Sequence, residues 1–109
     1  WELSEDDRDM TVMKVTVEGI KDGEAAGYEY YLLDRHDETS GVHSMARTTG
    51  YTATVALRML AGGIYKRKGI VAPEFIGEKP ECVEYLMDGL KERGVIYTER
   101  AVAPGPARA

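Results

Sequence analysis

Cysteine is almost missing from this chain. Cys82 stands alone among 109 residues, so no internal disulfide can form, which suits a reducing, cytoplasmic setting. No apolar run approaches the length needed to span a bilayer, so no membrane partner is expected. No secretory pattern opens the chain. Positive charge is also in short supply. Lys and Arg number 14 against 19 Asp and Glu, a formal charge of −5, and the basic residues cluster only at Lys66-Arg67-Lys68. A nucleic-acid partner finds no support in that balance, because phosphate backbones are held by dense Lys and Arg. The two histidines, His36 and His43, fit neither HExxH nor a related ligand spacing, so no metal site is expected. Nucleophile elbow, P-loop and dinucleotide fingerprint are absent too, and no catalytic residue is assigned.

What is present fits a single domain over residues 1–109. Hydrophobic residues make up 43% of the chain, enough for a modest core and too many for disorder throughout. The chain starts at Trp1 rather than Met, and it is read as a piece of a longer protein or one lacking its initiator. Residues 1–9 are acidic and without period, and residues 101–109 are rich in Pro and Gly. Both are expected to be flexible ends.

Between them the periodicity alternates in type. In residues 10–20, Met13, Val15 and Val17 alternate with Lys14, Thr16 and Glu18, which predicts a half-buried strand. Asp22-Gly23 is a strong hairpin turn pair. Residues 28–36 predict a second strand, with Tyr28, Tyr30 and Leu32 on one face and Glu29, Tyr31 and Leu33 on the other. Large apolar groups on both faces imply cover on both sides. A helix is expected from about Ala46 to Gly62-Gly63. Residues 69–77 are read as extended, with a short strand at Ile70-Val71 that Pro73 keeps short. Residues 80–93 carry Val83, Leu86, Met87 and Leu90 at i, i+3, i+4 and i+7, an amphipathic helix begun by Pro80 and ended by Gly94. Residues 95–100 predict a last strand. The fold class is therefore α+β: a two-layer domain with a mainly antiparallel sheet and two helices on one face.

The candidate site lies at the start of the first helix. Ser44, Arg47, Thr48, Thr49 and Gly50 crowd a polar segment that runs into apolar positions Val55, Ala56, Met59 and Leu60. The hydroxyls suit free helix N–H groups, and Arg47 offers a planar fork of donors to a carboxylate or phosphate. Gly50 costs helix stability, which close approach of a ligand or another backbone would explain. The structural reading stands beside this one. Arg47 pairs with Asp34 or Asp37, Thr48 acts as a cap, and Thr49 and Gly50 allow close helix packing. His43, near Arg47 in sequence, is a minor candidate for an acid or base. Cys82 is read as a packing residue.

Residues 45–60, MARTTGYTATVALRML, followed by residues 63–77, GIYKRKGIVAPEFIG, resemble the C-terminal part of the saccharopine dehydrogenase family. The RTTG core and the later G-I-V-x-P-E stretch carry the resemblance. It implies an NAD(P)-dependent oxidoreductase acting on a C–N bond of an amino acid of the lysine or saccharopine type. It implies that NAD or NADP binds mainly to an N-terminal Rossmann domain absent from these residues. Arg47, Thr48, Thr49 and Gly50 would then line the substrate pocket, with Arg47 as a carboxylate clamp. A homodimer, formed through the Tyr-rich sheet face or the sheet edge, is expected. The other reading is a non-catalytic dimerisation or protein-interaction module.

Overall fold

The structure, a computed structural model, describes residues 2–4 and 6–103. Strand β1 (Met10–Lys21) and strand β2 (Glu24–Arg35) form a long antiparallel hairpin. Asp22 and Gly23 turn it with φ of 54° and 86°. Two successive positive φ values are what a two-residue type I′ hairpin requires, and its twist matches that of the strands. The hairpin is in register from Met10 opposite Arg35 to Lys21 opposite Glu24. Strand β3 (Tyr97–Val102) pairs antiparallel with the other side of β2, giving the order β1-β2-β3.

Helix α1 (Ser44–Ala61) follows β2 after a polar loop, then come α2 (Pro73–Gly77) and α3 (Pro80–Lys91). The α+β class and the antiparallel sheet hold, with one helix more than expected. The extended segment over residues 69–77, with its short strand at Ile70-Val71, is not what forms. Ile70 is fully exposed, Val71 packs on the core, and Pro73 opens helix α2. The physical reason is positional. Pro73 sits in the first turn, where its missing N–H is no loss, and its fixed φ is already helical. The last strand also starts later than expected. The Val95 amide donates to Leu90 O at 3.0 Å, finishing α3 around Gly94 (φ 76°), so Val95 serves the helix end rather than the ladder.

Two apolar clusters join the layers. Leu32 of β2 meets Leu90 and Val95, with Tyr51, Leu86 and Tyr97 around them. Met59, Tyr65 and Cys82 form the second, under Ile64, Val71, Ile76 and Tyr85. Cys82 is fully buried there, a packing role. Helices α1 and α3 meet at Val55 and Gly89, where a Cβ added to Gly89 would lie 2.6 Å from Val55 Cγ1. Among the described residues the opposite sheet face carries no helix contact of this kind, and Tyr31 and Leu33 stay partly exposed on it. Among the described residues one face of β2 is covered; the cover expected on the other face was that of a partner domain or a second subunit.

Gly89→Ala is expected to lower stability by about 1–3 kcal/mol through overpacking against Val55, despite the better helix propensity of alanine. Gly50→Ala, with open space at the added methyl, is expected to raise it by about 0.5–1 kcal/mol. Urea unfolding of both variants checks the contrast.

Candidate functional site

The first turn of α1 is built by residues distant in sequence. His43 occupies the N-cap position, and its side chain caps nothing. The free N–H groups of the turn are taken by Asp9 instead. Its Oδ1 accepts from the Ser44 amide at 2.7 Å and its Oδ2 from the Met45 amide at 2.8 Å. A carboxylate there also favours the positive end of the helix dipole. Burial pushes the Asp9 pKa up, but donation from the Met45 and Ser44 amides outweighs it and holds the carboxyl below its ordinary value.

Ser44 is fully buried. Its hydroxyl donates to Asp34 Oδ2 at 2.7 Å and lies 2.9 Å from Thr11 Oγ1. Asp34, buried at the end of β2, is the anchor of the site. Arg47 Nε donates to its Oδ2 at 3.2 Å and Arg47 Nη2 to its Oδ1 at 3.3 Å, a two-pronged pairing of fork and carboxylate. Arg47 Nη1 reaches Asp37 Oδ2 at 3.4 Å, and Nη2 also donates to Arg93 O at 3.1 Å, just past the end of α3. Arg47 is itself buried and lies over the Tyr51 ring, 5.7 Å from its centroid. Burial opposes its charge, but Asp34 more than offsets this and raises its pKa. Asp37 is shaped by its own loop. Ser40 Oγ and the Thr39 amide donate to it and lower its pKa, with a smaller effect from Arg47.

The pairing of Arg47 with Asp34 and Asp37 is the structural alternative that the sequence allowed. Four of the five guanidinium N–H groups serve these contacts. Thr48 Oγ1 turns back to Ser44 O at 2.9 Å within the helix. Thr49 and Gly50 are exposed, and a Cβ at Gly50 would meet nothing within 4 Å. Helix packing among the described residues therefore gives no reason for that glycine. The structure does not bring the four residues onto one surface: Arg47 points inward, and Thr49 lies about 200° round the helix from it.

The inward side opens on a cleft of about 540 Å³ lined by Leu33, Asp34, Arg35, His36, Asp37, Arg47, Arg93 and Gly94. Three arginines and two aspartates there leave a surplus of one positive charge. His36 and His43 stack edge to face beside it, with centroids 5.1 Å apart. No group of three or more His, Cys, Asp or Glu among the described residues is placed to hold a metal ion. Sequence reasoning missed Asp9 and the Arg93 carbonyl. Neither has a local signal, because Asp9 ends an acidic run without period and the carbonyl belongs to the backbone.

The architecture is that of a small α+β domain whose helix start is tied to the sheet by a buried ion pair. Residues 1–95 match the family described as "Saccharopine dehydrogenase C-terminal domain", and the chain belongs to that family. It is similar to Saccharopine dehydrogenase [NADP(+), L-glutamate-forming] of Saccharomyces cerevisiae, 30% identical over 105 residues, which cover 94% of this chain and 22% of that protein. The chain thus spans about a fifth of that relative's length. No solved structure matches it.

Arg47→Ala leaves Asp34 buried and unpaired, and is expected to cost about 3–5 kcal/mol in urea unfolding. Arg47→Lys should recover only part of that, since a lysine lacks the fork. For Asp9, the lowered folded pKa means a contribution fully present above the unfolded value of about 4 and lost as pH falls through the folded value. The stability gap between wild type and Asp9→Asn is expected to close below about pH 4, read from unfolding curves across that range.

Proposed function

We propose that this chain is the C-terminal part of an NAD(P)-dependent oxidoreductase acting on the C–N bond of an amino acid of the lysine or saccharopine type. Family membership over residues 1–95 carries the reading. The yeast relative takes NADP(+) by its name, and a nicotinamide cofactor is the natural counterpart here. The residues of this chain do not fit that cofactor by themselves. No Gly-rich fingerprint is present, and the buried arginine has most of its donors committed to Asp34, Asp37 and Arg93 O. No chemical step is therefore assigned to it, and the Rossmann domain and a cytoplasmic setting belong to the proposal.

Within that reading, the start of α1 is one wall of the substrate pocket. Thr49 and Gly50 offer the contacts, with the Gly50 backbone open to close approach. Arg47 and Thr48 hold the turn that carries them. The second reading, an interaction module without a ligand, draws support from the apolar residues exposed on β1.

The two separate in the longer enzyme. Gly50→Ala and Thr49→Ala are expected to lower kcat/KM at least about ten-fold, about 1.4 kcal/mol, while Tm is unchanged or raised. Wild-type kinetics in both would remove this surface from the pocket. The 109-residue chain alone is expected to show no lysine- or saccharopine-dependent reduction of NAD(P)+, and measurable turnover would overturn the division of labour.

A further inference from the structure

The chain's two histidines take no part in the ion pairs beside them. His36 follows β2 and His43 precedes α1, so they stand at the two ends of the loop that joins those elements. Backbone bonds fix both ends. The His36 amide donates to Asp9 O at 2.9 Å, and His43 O accepts from the Arg47 amide at 2.9 Å. Between them the Asp37 amide donates to Val42 O at 2.9 Å and closes the neck of the loop. The two rings meet edge to face, with centroids 5.1 Å apart. His36 is only 9% exposed, and His43 is half-buried. One nitrogen of each ring is left over. His36 Nδ1 and His43 Nε2 are both shut off from solvent, and neither has a hydrogen-bond partner among the described residues, the other ring included.

We propose that His36 Nδ1 and His43 Nε2 together bind one divalent transition ion of the zinc or nickel type, with water filling its remaining positions. Buried polar atoms in native folds are met by a protein group, a water or an ion, because leaving them unmet costs free energy. Two such atoms on neighbouring rings point to one shared ligand, and a neutral imidazole nitrogen of either kind is a metal ligand. With metal–nitrogen bonds of about 2.0–2.1 Å and a near-tetrahedral angle at the ion, two imidazole centroids come about 5 Å apart. The separation found is 5.1 Å. Edge-to-face packing alone accounts for that distance but not for the two unmatched nitrogens. The surroundings favour a cation. Asp7 and Asp9 both lie within electrostatic reach of His43, and the charge of Arg47 is already matched by Asp34 and Asp37. Against them stands Arg35, next to His36 in the chain, which is exposed and so screened by solvent. Imidazole selects transition ions over Mg2+ and Ca2+, which take oxygen ligands. Two protein ligands make the site weaker than a structural zinc centre, which has four. The ion ties the end of β2 to the start of α1, at the turn that Asp9 caps. Linear spacing gave no sign of it, since the closing of the loop is what brings the two rings together.

This inference does not rest on the oxidoreductase reading, and its readout is binding rather than turnover, so either can fail without the other. The test is titration of the chelator-treated 109-residue chain with Zn2+, followed by NMR of the histidine ring protons. The chain has two histidines, so each ring is followed by its own signals. Zn2+ is expected to shift both sets in step and to saturate near one ion per chain, and Mg2+ at the same concentration is expected to move neither. Signals that stay in place, a response confined to one ring, or an equal response to Mg2+ overturn the proposal and leave each nitrogen to a buried water. His36→Gln and His43→Gln, checked for folding by circular dichroism, are each expected to weaken Ni2+ binding in equilibrium dialysis about ten-fold or more. Undiminished binding in either variant overturns the proposal as well. Should a variant fail to fold, the wild-type titration decides alone.

Discussion

Asp34 sits buried where β2 ends, and a carboxylate in that position must be matched or it unfolds the corner around it. Arg47 and Ser44 match it from the first turn of α1. That pairing ties the first turn of α1 to the end of β2, and to the end of α3 as well, because Arg47 also holds the Arg93 carbonyl. Strand, loop and two helices thus converge on one guanidinium. A side chain so engaged positions its neighbours more readily than it clamps a ligand, which is why the outward residues of the same turn carry the proposed contacts.

The sheet is asymmetric in a way that bears on assembly. One face is closed by α1 and α3 around Leu32, Leu90 and Val95. The other holds the Lys14–Glu29–Arg100 ion pairs among partly exposed Tyr31, Leu33 and Val12. The pairing with two cations keeps Glu29 charged, and its pKa is lowered chiefly by Lys14 and also by Arg100, against the effect of burial. Together with the open edge of β1, this leaves apolar surface beyond what three strands and three helices can cover. A domain that belongs to a larger assembly is expected to look so.

Much of the fold was legible because its signals are local. The Asp22-Gly23 turn needs only two residues to specify a hairpin, and the apolar spacing of residues 83–90 needs only one helix face. Pro73 was read as limiting a strand when it begins a helix, since the same fixed φ serves both and the choice lies with what Val71 and Ile76 pack against. The start of β3 was set two residues too early because the amide of Val95 is claimed by Leu90 O, a contact that depends on where α3 stops. At the site, Asp34 and Asp37 were visible as partners for Arg47, being near in sequence and opposite in charge. Asp9 was not, because its role depends on the strand β1 that carries it past the helix start.

By itself the sequence determined the classes of interaction: the hairpin, the helix faces, the lone reduced cysteine, the absence of a dinucleotide fingerprint and the family to which residues 41–77 point. Those properties depend on residue type and short spacing, which survive in a linear chain. Only the tertiary structure decided which donors Arg47 spends, that Asp9 caps a helix 35 residues away, and that Gly50 faces open space. Those depend on distances between segments that are far apart in the chain, and distance across a fold is fixed by packing rather than by pattern.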